Sequence, residues 1–505
     1  MKTQIKVKEG DKALFNNHAD FCIGTGRMGL ALQEEYQKQL AYVQDIIGFK
    51  YIRGHGLFSD DMAIYQRRKG FDGVEHIEYN FTYLDRVMDN YLKLNIRPFL
   101  ELGFMPEKMA SGDQTVFYWK GNTTPPSDYE EWAKLVKTTL SHLIERYGIE
   151  EVKKWPIEVW NEPNLPGFWK GADMQEYFKL YRCTALAVKE VSCELKVGGP
   201  AICGVDDERW MREFLRFVQS LNVPLDFVTR HHYTSCQLQI DGHYSYIDLH
   251  KPSEAFAVLE KSREIVDSFS EFKGMDIHIT EFNTSYVPNA PIHDTNLNAA
   301  YVAHMLSKLG DKHASYSYWT FGDVFEEMGV AYTPFSGGFG LVANGIIPKP
   351  TFWTFAFFKE LKGEAVFKSE NAVIVKTEDG SYKGCAWNPD FYCEGNELNI
   401  NVSLPCTEGQ NYSLLIKTVD EECCNPLKVW HDLGEVATPK EELNKLLRDA
   451  AKPQITTKLL QGKDSVAFDL LLTKNAIKYF ELKAVTIKSD RGYSYERTMA
   501  QHVEL

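Results

Sequence analysis

A chain of 505 residues is too long for one hydrophobic core and predicts two or three domains. Its 44% apolar and 25% charged residues are those of an ordinary globular protein, and a net charge of −14 with no offsetting run of Lys or Arg argues against nucleic acid or an anionic membrane surface as partner. The N-terminus lacks an apolar signal core and no stretch is long and apolar enough to span a bilayer, so a cytoplasmic protein is expected; the ten Cys form no CxxC pair and no Cys/His cluster at zinc spacing, so reduced thiols, no metal and no cofactor are expected.

Residues 1–13 alternate, with Ile5 and Val7 set against Gln4, Lys6 and Lys8, which predicts a short strand that pairs with a distant part of the chain. From about residue 20 to 345, short apolar runs alternate with amphipathic helices. The strand candidates are Phe21–Gly24, Tyr51–Arg53, Arg97–Leu102, Pro156–Trp160, Lys196–Gly198, Leu225–Thr229, Asp276–Thr280 and Ala314–Trp319. The helical patterns between them are Leu30–Ile47, Tyr79–Leu94, Asp128–Tyr147 with Ser127 as its cap, Gln175–Val191, Glu208–Leu221, Ser253–Phe269 and Asn296–Leu309. Eight strands alternating with helices predict an α/β fold with parallel strands, and a closed (β/α)8 TIM barrel fits the count. A doubly wound open sheet competes, but Gly24-Thr-Gly26 lacks the third glycine of a nucleotide loop.

After about residue 350 short strands dominate, among them Ala372–Lys376, Leu398–Ser403, Tyr412–Lys417 and Val466–Leu471, which predicts an antiparallel β-sandwich. The expected organisation is a barrel over residues 14–350, a β-sandwich from residues 1–13 plus 351–490 with a helical insert at about 425–452, and a tail over 491–505 without a clear signal.

In a barrel the chemistry sits where strands end at the C-terminal face. The fourth strand runs into Asn161-Glu162 before Pro163, which cannot continue a central ladder; the seventh runs into Glu281. Two carboxylates at one barrel mouth are the apparatus of glycoside hydrolysis. A lone strand-end Glu is as readily an Arg partner or a helix cap, but two at strands four and seven are hard to explain structurally. No strand ends in a Schiff-base Lys, and His231-His232-Tyr233 has no His-x-His partner on the first strand. Aromatics at 13% suit sugar ligands, although a large core accounts for most of them.

Trp160-Asn-Glu-Pro-Asn164 and Thr280-Glu-Phe-Asn283 resemble the retaining glycosidases with acid/base and nucleophile on strands four and seven. The closer resemblance is to glycoside hydrolase family 39, and within it to the bacterial β-xylosidases. It is carried by Cys22-Ile-Gly-Thr-Gly-Arg27, Arg53-Gly-His55, Tyr118-Trp-Lys-Gly-Asn122, Asp226-Phe-Val-Thr-Arg-His231, Tyr318-Trp-Thr-Phe321, Gly337-Gly-Phe-Gly-Leu341, Pro348-Lys-Pro350 and Asn425-Pro-Leu-Lys-Val-Trp430, and covers most of the chain. The resemblance implies Glu162 as acid/base, Glu281 as nucleophile, Asn161 on the sugar 2-hydroxyl, and His55, His231, Tyr233 and Trp319 around the sugar, with Phe117 and Glu327 in loops lining the pocket. His232 departs from the family's small residue and is expected to point away from the pocket; Glu326 is expected to be a solvated or salt-bridged neighbour of Glu327. The implied activity is release of xylose from the non-reducing end of β-1,4-xylo-oligosaccharides by a homo-oligomer, often a tetramer. The alternatives are an iduronidase- or arabinosidase-like member of the family, or a non-catalytic carbohydrate-binding protein.

Overall fold

A computed structural model describes residues 2–391, 393–486 and 492–500. Eight parallel strands close into a barrel in the order Cys22–Gly24, Tyr51–Gly54, Arg97–Leu102, Ile157–Val159, Val197–Ile202, Phe227–Tyr233, Ile277–Asn283 and Ser315–Tyr318. The pairing of Ser317 and Tyr318 with Cys22 and Ile23 completes the ring, which excludes the open-sheet alternative. These strands are hidden on both faces, by the barrel interior and by the helices, and so read as short apolar runs without alternation.

The fourth strand is shorter than expected. It ends at Val159, and its end is not set by Pro163. Trp160 takes a left-handed backbone conformation with φ +70°, and Glu162 another with φ +43°. Such conformations are costly for residues with a β-carbon and cluster at functional sites.

A helix follows each strand, and strand three is followed by a second short one, Ile149–Val152. The helix Tyr129–Tyr147 is capped by Asp128, whose carboxylate accepts from the N–H groups of Glu130 and Glu131; Ser127, the expected cap, donates its hydroxyl to the Met109 carbonyl. The eighth helix, Pro350–Lys359, had no counterpart among the expected helices. Its sequence, PTFWTFAFFK, is apolar all round and carries no amphipathic period, the mark of a helix buried on every side. Lys359 Nζ donates to the Ile46 carbonyl at 2.7 Å and Thr354 to the Ala299 carbonyl at 3.0 Å, so this helix seals the ring between the first helix, Glu34–Ile46, and the seventh, Asn296–Leu309. The boundary expected at residue 350 falls on its first residue, and we propose to draw it after Lys359.

Beyond it, six antiparallel strands form one sheet in the order Glu364–Lys368, Ala372–Lys376, Tyr382–Asn388, Ala476–Val485, Asn411–Val419 and Gln454–Gln461. A second sheet holds Lys2–Lys6, Leu398–Leu404 and Val466–Leu472. Ile5, Ile400, Val402, Phe468, Leu470, Leu414 and Phe480 meet between the two. The sandwich is antiparallel except at its N-terminal strand, which runs parallel to Leu398–Leu404. A parallel neighbour needs a long crossover, and here the whole barrel is that crossover.

The helical insert is two helices, Pro426–Asp432 and Glu441–Ala450, whose Trp430 and Leu447 pack on Phe335, Ala343 and Ile347 beside the barrel. Two exposed hairpins, Tyr65–Lys69 with Glu75–Tyr79 and Ser235–Asp241 with Tyr244–Leu249, decorate the loops and were not among the expected strands. Of the tail, Tyr495–Met499 forms a short helix; residues 491 and 501–505 lie outside the described residues. All ten cysteines are free.

Candidate active site

The barrel interior is polar at its C-terminal end. Arg53 rises from strand two, fully buried. Its Nε donates to Glu158 Oε2 at 2.8 Å, its Nη2 to Asn161 Oδ1 at 3.0 Å and its Nη1 to Glu281 Oε1, and Nη2 is ion-paired with Glu101 Oε2 at 2.8 Å. One guanidinium thus collects groups from strands three, four and seven, a task its rigid planar fork suits. Thr280 closes the base by donating to Glu158 Oε1 at 2.8 Å.

Glu281 receives two donors, Arg53 on Oε1 and the Tyr233 hydroxyl on Oε2 at 2.6 Å. Glu162 shares a hydrogen bond with His231 Nδ1 at 2.7 Å, and the same Nδ1 lies 3.4 Å from Glu281 Oε2. Oxygens of Glu162 and Glu281, together with a ring nitrogen of His231, all lie within 4.8 Å of one another. That trio has the donor set of a metal site. Arg53 and Tyr233 engage the two oxygens of Glu281, and His231 Nδ1 engages Glu162 Oε1.

Burial raises the pKa of both carboxyls, but unequally. At Glu162 burial acts first, the charge of Glu281 adds to it, and its pKa stands well above the carboxylate range. At Glu281 burial also raises the pKa, while the Arg53 charge and the Tyr233 hydrogen bond pull it down. Glu162 therefore holds its proton in preference to Glu281. The imidazoles carry no charge: burial takes His55 down to about 3 and His231 well below its usual value.

The remaining expected residues gather around the same carboxylates. His55 Nδ1 is 2.7 Å from Glu101 Oε2, and its Nε2 lies 3.6 Å from Glu281 Oε1 and 3.8 Å from Glu327 Oε1. The His55 ring packs against Trp319 at 4.7 Å between ring centres and against Phe117 at 5.8 Å. The Glu327 carbonyl accepts from the Tyr118 N–H at 2.8 Å, and burial with three neighbouring glutamates raises its carboxyl pKa well above normal. Glu326 is salt-bridged, to Arg27 at 2.5 Å. His232 is buried on the side of strand six that faces Arg230, His250 and His313, away from the carboxylate pair.

Sequence reasoning gave no site role to Arg53 and did not single out Glu101 or Glu158. The signal was there. Arg97-Pro-Phe-Leu-Glu-Leu102 and Ile157-Glu-Val159 each place one carboxylate inside an apolar buried strand, where an unpaired charge is too costly to keep. Such a residue demands a partner in the barrel interior.

Comparison with known proteins places this geometry in context. The family model described as glycosyl hydrolases family 39 matches residues 1–463. A protein of Geobacillus stearothermophilus named beta-xylosidase is 46% identical over 486 residues, covering 95% of each chain. A beta-xylosidase of Caldicellulosiruptor saccharolyticus is 34% identical, covering 93% of this chain and 94% of that one. The crystal structure described as a monomeric beta-xylosidase from Caulobacter crescentus CB15 superposes with a TM-score of 0.88 at 31% identity, over 96% of this chain and all of that one, 100%.

Proposed function

The chain belongs to glycosyl hydrolase family 39 and is a glycoside hydrolase, and from that premise we propose that it releases xylose from the non-reducing end of short β-1,4-xylo-oligosaccharides with retention of configuration. The approach of the Glu162 and Glu281 oxygens to within 4.8 Å is the observation that carries the mechanism. A retaining pair stands roughly 5–5.5 Å apart, whereas an inverting pair needs roughly 6.5–9.5 Å to admit water. Glu281, ionised by Arg53 and Tyr233, attacks the anomeric carbon while Glu162 gives its proton to the leaving oxygen. Glu162, now a base, then takes a proton from the water that frees the sugar. Asn161, held by Arg53, faces the 2-hydroxyl; His55, Phe117, Trp319 and Glu327 surround the rest of the ring.

The pentoside reading is supported by the named relatives and by what the arginines at the strand ends do. A uronate would need a free cation, but Arg53 is committed to carboxylates and Arg230 pairs with Asp207 at 3.0 Å. A purely sugar-binding protein would have no use for a proton-holding carboxyl beside an ionised one.

The test is a screen of p-nitrophenyl glycosides, with the anomer first released followed by NMR. β-D-xyloside turnover yielding β-xylose is expected. Release of the α-anomer overturns the double displacement, and binding without turnover favours the binding protein. Glu281→Ala should be inactive and rescued by azide as the inverted glycosyl azide. The reading extends to a cytoplasmic homo-oligomer. No helix among the described residues is long and apolar enough to cross a membrane, and light scattering decides between an oligomer and the monomer named for the Caulobacter protein.

A further inference from the structure

The segment from strand eight to the eighth helix holds two motifs to which the mechanism assigns no role, Gly337-Gly-Phe-Gly-Leu341 and Pro348-Lys-Pro350. They meet at a second buried charge cluster. Lys349 is fully buried; its ammonium lies 2.6 Å from Asp294 Oδ1 and 2.7 Å from Asp323 Oδ2 and donates to the Gly338 carbonyl at 2.8 Å. The ammonium is thus paired with two carboxylates and donates one hydrogen bond to a carbonyl. The second oxygens of the aspartates accept backbone N–H groups, Asp294 from Gly337 at 2.8 Å and Asp323 from Gly340 at 2.7 Å. The turn after strand seven, the start of the strand-eight loop and the return of that loop are thereby tied at one point. The glycines let the chain come this close: a β-carbon on Gly338 would stand 2.4 Å from Asp323 Oδ1, and one on Gly340 2.5 Å from the Gly322 backbone.

The cluster connects to the pocket through packed rings. Phe339, between the two glycines, meets Phe325 edge-on at 5.2 Å, and Phe325 meets Trp319 edge-on at 6.0 Å. Two residues past Phe325, Glu327 brings its carboxyl to within 3.8 Å of His55. Glu162 and Glu281 are held by other groups, His231 for the first and Arg53 with Tyr233 for the second. A buried ion cluster is a poor way to gain stability over apolar packing, but it fixes one geometry, because any other arrangement strands a charge.

We propose that Lys349, Asp294 and Asp323 are positioning residues for the sugar-binding wall. They set the strand-eight loop so that Trp319 and Glu327 face the sugar, without acting on the carboxylate pair. The proposal rests on the glycosidase reading of the pocket. It requires that loosening the cluster weaken sugar binding more than chemistry, since contacts made equally in ground and transition states govern KM.

The experiment measures kcat and KM for Lys349→Met and Asp294→Asn, each in the wild-type and the Glu327→Gln backgrounds, on the aryl glycoside that wild type hydrolyses best. Asp294→Asn is isosteric and keeps the Lys349–Asp323 pair, so it serves where the lysine variant does not fold. KM should rise by about tenfold or more with kcat changed by less than about threefold, and the KM effect should shrink in the Glu327→Gln background, because residues that act through one loop do not add independently. Unchanged KM, a loss confined to kcat, or effects that multiply independently of Glu327→Gln overturn the proposal. So does failure of both variants to fold, which would make the cluster part of the scaffold only. Absence of wild-type turnover on every aryl glycoside would instead defeat the glycosidase reading.

Discussion

Arg53 stands in contact with a group of glutamates that would otherwise repel one another. It touches Glu101, Glu158 and Glu281, and it lowers the pKa of each against the upward push of burial. Even so, Glu101 is pushed up to about 8. Removing the guanidinium by Arg53→Met should raise the pKa of Glu281, which as the proposed nucleophile must be ionised, so the acid limb of the kcat/KM profile should move to higher pH. Stability should fall by about 3–5 kcal/mol, since a buried pair broken on one side strands a charge; a thermal melt and a pH–rate profile read the two effects. The converse holds for Glu162, whose pKa is raised by burial and then by Glu281. Glu281→Gln deletes that repulsion and should lower the Glu162 pKa, as seen by carbon NMR of the labelled carboxyl. Glu162→Ala should cost roughly 10²–10⁴-fold in kcat on poor leaving groups, the usual contribution of a general acid, and much less on a dinitrophenyl glycoside. At this scale the sequence was legible where a residue stands at a strand end. It was less so for Arg53, Glu101 and Glu158, whose meaning lies in contacts with residues 46 to 228 positions away in the chain.

At the scale of elements, periodicity revealed the seven amphipathic helices expected in the barrel and missed Pro350–Lys359, which has no polar face. Tyr129–Tyr147 shows both outcomes. Its apolar face predicted it, but its cap is Asp128 and not the neighbouring Ser127, because only Asp128 aims an oxygen at the first free N–H groups. Asp128→Ala should cost about 1 kcal/mol, and Ser127→Ala less at that helix end; urea denaturation separates them. The eighth helix escaped because a helix sealed between two neighbours needs no polar stripe. Strand four escaped in detail because a left-handed Trp160 is imposed by the packing around it: its indole donates to the Phe168 carbonyl at 2.8 Å and its ring meets Trp169 at 5.0 Å. A local propensity scale has no access to either contact.

At the scale of the molecule, the N-terminal strand closes the sandwich that the chain completes more than 380 residues later, as the pairing of Lys2 with Asn399 shows. Ile5 and Val7 are buried there, each worth about 1.5–3 kcal/mol. Deleting residues 2–8 should therefore lower the melting temperature while leaving kcat/KM per folded molecule unchanged, because the carboxylate pair is held within the barrel. Loss of activity in a deletion that remains folded would show that the sandwich shapes the site. The sequence by itself determined the eight-strand alternation, the wet faces of the helices and the two strand-end glutamates, because each is written in local periodicity or in one residue at a strand's end. Only the tertiary structure decided which charges share Arg53, how Glu162 and Glu281 divide a proton, and how Lys349 anchors the loop beside them. Those outcomes depend on distances closed by burial between residues far apart in the chain, and burial is what gives each of those charges its pKa.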